Sequence, residues 1–138
     1  MSDNLGNLKK LGAVLSSKPI VAFAYLFGSR AKGYADERSD WDIAVYFSEP
    51  PEDFGIWTSF ELEAELSRIV RSNVQVIVLN KGLPSPVFGF QIISEGIVLT
   101  ERDENLRLEF ENKVLRHYYD WQYFLKRQMA AEKGHTIG

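Results

Sequence analysis

Eight consecutive apolar residues, Ile20 to Phe27 (IVAFAYLF), end abruptly at Gly28. A run of this length, rich in β-branched and aromatic residues and without polar alternation, is the mark of a strand buried on both faces, which places it centrally in a sheet. The next twelve residues, GSRAKGYADERS, are small or charged, and Asp40 to Phe47 (DWDIAVYF) then alternates, with Trp41, Ile43, Val45 and Phe47 on one face. That alternation predicts a second strand packed on one side and more polar on the other.

The remaining segments supply the covering layers. Leu5, Leu8, Leu11 and Leu15 recur at helical spacing behind the capping candidates Asp3 and Asn4, so a helix is expected over about 4–17, ended by Pro19. Glu49-Pro50-Pro51 breaks the chain, and Phe54 to Arg71 recovers a helical period. Val74 to Leu79 (VQVIVL) reads as a third strand. Pro84 and Pro86 open a short segment expected to be helical through Ser94, followed by Gly96 and a fourth strand over Ile97 to Thr100. Leu106, Phe110, Val114, Tyr118, Trp121 and Leu125 form one stripe of a long helix over about 103–133, with Gly134 as its stop and residues 135–138 as a frayed tail. The whole, residues 1–138, reads as one α/β (α+β) domain: a small mixed sheet of about four strands flanked by helices, with a long C-terminal helix.

Composition narrows the functions open to such a domain. At 138 residues, 45% hydrophobic and 25% charged, the chain can bury one ordinary core. Sixteen basic against nineteen acidic residues give a net charge of −3 without a basic run, which argues against a long nucleic-acid ligand. There is no cysteine, so disulfides and thiolate metal sites are excluded. The first ten residues hold no apolar core of signal-peptide length and the longest apolar run is too short to span a bilayer, so a soluble cytoplasmic protein without membrane contact is expected.

The chemistry concentrates between the first two strands, where Gly28-Ser29 is followed by ten residues and then Asp40-Trp41-Asp42. Residues i and i+2 of a strand point the same way, so Asp40 and Asp42 project together while Trp41 packs opposite. Adjacent carboxylates repel, and a divalent cation relieves the repulsion; Mg²⁺ typically takes one or two carboxylates together with substrate phosphates. Gly28 allows close backbone approach to a ligand, and Ser29 can start a short helix whose N–H groups face an anion. The pattern is not a Walker loop, because Tyr34 and Ala35 stand where Lys and Ser/Thr are required.

At these residues, GSRAKGYADERSDWD, the sequence resembles the minimal nucleotidyltransferases of the DNA-polymerase-β-like superfamily, whose signature is Gly-Ser, ten residues, then Asp-x-Asp. Length, element order and the C-terminal helix opening near ERDENLRLEFE look more narrowly like the MntA-type antitoxins, partners of the HEPN-domain toxin HepT. The resemblance implies a nucleotidyltransferase fold and an enzyme that binds Mg-ATP and transfers AMP to a tyrosine of the toxin, silencing its RNase. It implies that Gly28 and Ser29 hold phosphate and that Asp40 and Asp42 are catalytic and bind Mg²⁺. By position alone, Arg30, Lys32 and Arg38 flank the expected phosphate site, as nucleotide-binding candidates that offset triphosphate charge or as solvated loop residues. The family's third carboxylate falls at Gln75, where a neutral amide can ligate but cannot accept a proton. Two other readings therefore stand beside the enzyme: a binding module that neutralises its toxin by contact alone, and a transferase for small hydroxylated molecules.

Other residues carry less. His117 is expected to pack or face solvent, His135 to be inert, and Glu61, Glu63 and Glu65 to form a solvated helix face. Tyr118, Tyr119, Trp121, Tyr123 and Phe124 cannot all face one core, so some are expected to meet a partner protein or a second copy of the chain.

Overall fold

In the computed structural model, which describes residues 4–33, 39–49 and 55–137, the apolar run becomes β1 (Val21–Phe27), with Val21 to Leu26 fully buried. The chain order is α1 (Asn4–Ser16), β1, α2 (Ser29–Lys32), β2 (Trp41–Phe47), α3 (Gly55–Val70), β3 (Val74–Val78), a 3-10 turn (Leu79–Lys81), α4 (Pro86–Glu95), β4 (Ile97–Glu101) and α5 (Glu104–Ile137). The strands lie in the order β3-β2-β1-β4. β1 runs antiparallel to both β2 and β4, whereas β2 and β3 are parallel. A parallel pair needs a crossover, and α3 provides it.

Central placement explains why β1 has no polar position. Val21, Ala24 and Leu26 join the core beneath α1 and α3, with Leu11, Leu15, Leu62 and Leu66. Ala22, Phe23 and Tyr25 face the other layer, where Ile92 of α4 and Phe110 of α5 pack. The strict period of two is broken by a register shift between Val21 and Phe23, which lets Ala22 and Phe23 fall in the same layer. On β2 the expected alternation holds without a break: Trp41, Ile43, Val45 and Phe47 all enter the first core. Asp42 is thereby committed to the second face, along with Ala44 and Tyr46.

Two expectations are corrected. The C-terminal helix does not stop at Gly134 but continues to Ile137; one glycine costs about 1 kcal/mol against alanine and, with no proline after it, does not end a helix. Glu63 is not simply solvated. Its Oε2 accepts the backbone N–H of Val76 at 2.8 Å, and Ser67 Oγ accepts that of Val74 at 3.1 Å. β3 is an edge strand, and α3 thus supplies the acceptors that a further strand would otherwise provide. Glu65 pairs with Lys18 at 2.7 Å, while Glu61 is exposed as expected.

Gly12 marks where α1 meets β4. A Cβ built there would lie 2.7 Å from the carbonyl oxygen of Leu99. Replacing a helical glycine by alanine ordinarily stabilises by about 1 kcal/mol, but here the methyl group would force the helix off the strand. Gly12→Ala is therefore expected to lower the thermal midpoint, as calorimetry or circular dichroism would read; an unchanged or raised midpoint would show that α1 can retreat at no cost.

Candidate functional site

Three strand ends meet on the second face. Asp42, on β2, is the cross-strand partner of Phe27 at the end of β1 and of Gln75 near the start of β3. Paired residues share a face, so Gln75 stands beside Asp42 on the side opposite Val74, Val76 and Val78, which pack against the first core. Asp40, just before β2, is exposed and Asp42 half-buried.

Gly28 is fixed by two constraints. Its φ of 78° lies in the left-handed region, and a Cβ there would come within 2.5 Å of Asp42 Oδ2. The aspartate carboxylate occupies the space that a side chain would need. Ser29 then opens α2, whose Ala31 and Lys32 amides donate to the Gly28 carbonyl at 3.1 and 3.2 Å.

Two of the expected basic residues have partners among the described residues. Arg30 Nε and Nη2 donate to the carbonyl of Ser39 at 3.1 and 2.9 Å, and its guanidinium lies 4.2 Å from the centre of the Trp41 ring. It thereby links α2 to the residue immediately before Asp40. Lys32 pairs with Glu95 at 2.8 Å. Arg38 lies outside the described residues.

Burial, followed by the charge of Asp40, holds the Asp42 carboxyl above the usual carboxylate range. The paired hard-oxygen donors fit a small divalent cation that shares its shell with phosphate. Among the described residues no third acidic or histidine side chain joins them in a cluster, and the amide of Gln75 is the neighbouring polar group.

Two features were not anticipated. The phenol of Tyr25 donates to Glu111 of α5, which also receives Arg107 Nη1 at 2.8 Å; Arg107 Nε lies 3.1 Å from Glu101, an ion pair not aligned as a hydrogen bond. Burial and the Glu111 carboxylate push the Tyr25 phenol far up, so it remains a donor at any working pH. The available signal was a tyrosine inside a wholly apolar strand, whose hydroxyl had to find a partner. The second is a cavity of about 460 Å³ between α4 and α5, lined in part by Tyr46, Leu79, Leu83, Phe110 and His117. Its one residue from β2, Tyr46, lies at the opposite end of that strand from Asp42.

The family profile for polymerase β nucleotidyltransferases matches residues 9–105, which include the whole Gly-Ser to Asp-x-Asp interval. The chain belongs to that family. A sequence search of curated proteins gives no significant match for this nucleotidyltransferase. Its fold is that of several solved toxin–antitoxin structures. A toxin–antitoxin with AMP-PNP superposes with a TM-score of 0.68 at 24% identity, covering 97% of this chain and 99% of the other. An MntA–HepT structure gives 0.65 at 23% identity, with 95% and 98% covered. A tri-AMPylated HEPN toxin from Shewanella oneidensis in complex with MNT antitoxin gives 0.65 at 23%, with 96% and 98% covered. The likeness includes the four-stranded mixed sheet and the long C-terminal helix.

The Asp42 shift has a consequence for stability. A carboxyl whose folded pKa is raised favours the folded state most below its unfolded pKa, and that contribution is lost as pH rises through the folded value. At neutral pH the ionised side chain therefore opposes folding of the ligand-free protein. Asp42→Asn is expected to raise the thermal midpoint at about pH 7, with the gain closing toward about pH 3, where both forms are neutral. A gain that persisted undiminished in acid would assign it to packing instead of charge.

Proposed function

We propose that this nucleotidyltransferase is a cytoplasmic antitoxin that transfers AMP from Mg-ATP to a tyrosine of a HEPN-type toxin. The observation that carries the reading is the Asp40 and Asp42 pair set against Gly28, a two-carboxylate site beside a backbone that leaves room only for the acid group. The toxin–antitoxin folds in complex with AMP-PNP or with a tri-AMPylated toxin support the choice of donor and acceptor.

In this reading Gly28 and the first amides of α2 cradle the triphosphate. Asp40 and Asp42 would hold Mg²⁺, which when bound would supply positive charge to the phosphate oxygens. The two carboxylates would act on the α-phosphate only through that cation, since unscreened anions repel. The tyrosine oxygen forms a bond to the α-phosphorus, the bond to the bridging α–β oxygen breaks, and pyrophosphate leaves. Gln75 takes no proton, so the phenolic proton passes to solvent. A phenol, with a pKa near 10, gives up its proton far more readily than an aliphatic hydroxyl, which makes a missing base tolerable.

The neutral Gln75 beside Asp42 also favours a second reading, in which the fold neutralises its toxin by contact and transfers nothing. Incubation with α-labelled ATP, Mg²⁺ and a candidate HEPN-domain toxin separates the two. Transfer predicts label on the toxin that is abolished by Asp40→Asn with Asp42→Asn, together with loss of neutralisation. Protection that survives the double substitution would establish contact alone.

Gln75 provides an independent measure. If proton removal limits the rate, Gln75→Asp should accelerate transfer by roughly 10²- to 10⁴-fold, the range of a positioned general base. In a variant confirmed to be folded, unchanged or reduced transfer would show that position 75 is not a vacant base site.

A further inference from the structure

α5 carries an apolar stripe along most of its length: Phe110, Val114, Tyr118, Trp121, Leu125 and Met129 follow one another at steps of three or four residues. Its first half has an evident purpose. Phe110 packs against Phe23 with ring centres 5.5 Å apart, Val114 is buried, and Tyr118 stacks on Phe90 of α4 at 4.0 Å. Past Tyr118 the stripe runs on while its cover ends. Tyr123 is 64% exposed and Met129 57%, with Tyr119 and Phe124 also exposed. Roughly five further turns, about 28 Å of helix, extend beyond that last stacking contact. The family profile ends at residue 105, where α5 is only beginning.

A helix that merely reaches into solvent needs polar faces all round. This one instead presents aromatic residues, methionine and arginine, the residue types enriched at protein interfaces. The aromatics are partly ordered by their neighbours: Trp121 stacks with Phe124, Gln122 Nε2 donates to the Tyr118 hydroxyl at 2.9 Å, and Arg127 lies over the Tyr123 ring at 5.7 Å. Charge indicates what covers them. The chain as a whole is acidic, at −3, yet from Tyr119 to Lys133 it carries Lys126, Arg127 and Lys133 against Asp120 and Glu132. A second copy meeting it helix to helix would bring the same net positive charge to this one, whereas an acidic surface complements it.

We infer that the part of α5 from Tyr119 to Met129 docks this chain onto its toxin, its exposed aromatic residues and methionine entering an apolar groove with an acidic rim. The inference rests on the antitoxin reading above for the identity of the partner. It is separate from the Asp40 and Asp42 chemistry, which lies on another part of the fold.

The test uses full-length wild type and two variants, Tyr123→Ala with Phe124→Ala and Lys126→Glu with Arg127→Glu. Affinity for a purified candidate HEPN-domain toxin that this chain neutralises is measured by calorimetry, and AMP transfer is followed in parallel. Because the altered residues are exposed, both variants are expected to retain the wild-type thermal midpoint, which is checked first. Each should weaken binding on the order of tenfold or more, while the Asp40→Asn, Asp42→Asn protein binds as wild type does. Wild-type affinity in both helix variants would overturn the docking surface and leave the enzymatic reading intact. Lost binding in the helix variants, with no transfer by wild type, would sustain the docking surface and overturn AMP transfer. Failure of wild type to bind the toxin at all would overturn both. Sedimentation showing that wild type alone is a dimer, and the helix variants monomers, would assign the surface to a second copy and overturn the inference.

Discussion

The contact between the Asp42 carboxylate and the backbone of Gly28 ties the chemistry of this protein to its fold. It joins the end of one strand to the beginning of the next across a loop, and it requires both a residue without a side chain and a backbone angle that other residues avoid. Trp41, buried in the opposite layer, locks the register that turns Asp42 toward that glycine. Arg30 of α2 holds the Ser39 carbonyl and lies over the same tryptophan. A carboxylate half-buried beside another acid is a poor contributor to stability, so the surrounding packing has to enforce it.

The first layer was largely legible because its signals are local. The apolar run of β1 and the alternation of β2 each state a burial pattern, and Leu11, Leu15, Leu62 and Leu66 repeat at helical spacing. Leu5 shares that spacing but is exposed, since periodicity defines a face without saying how far the cover extends. The placement of Gln75 also followed from alternation, together with the parallel neighbour that supplies Asp42 as its partner.

What stayed hidden depends on contacts far apart in sequence. Nothing near Arg30 in the sequence shows that its guanidinium will lie over Trp41 and hold the Ser39 carbonyl. Glu63 looks like any acid on a helix surface until β3 is seen lying alongside with a free amide. The link from Tyr25 to Glu111 and Arg107 spans more than half the chain. It joins the central strand to the long helix through a donor that stays protonated, so α5 is held by a directional polar contact as well as by Phe110.

The way α3 treats the edge of the sheet limits how the domain can associate. The Val74 and Val76 amides that face away from β2 are already engaged by Ser67 and Glu63. A foreign strand arriving at that border would find its hydrogen-bonding partners occupied, and would have to displace a serine and a carboxylate to extend the ladder. Sheet continuation, the commonest route to runaway polymerisation, is thus obstructed on the β3 side, and a protein meeting the domain there must engage side chains rather than main chain.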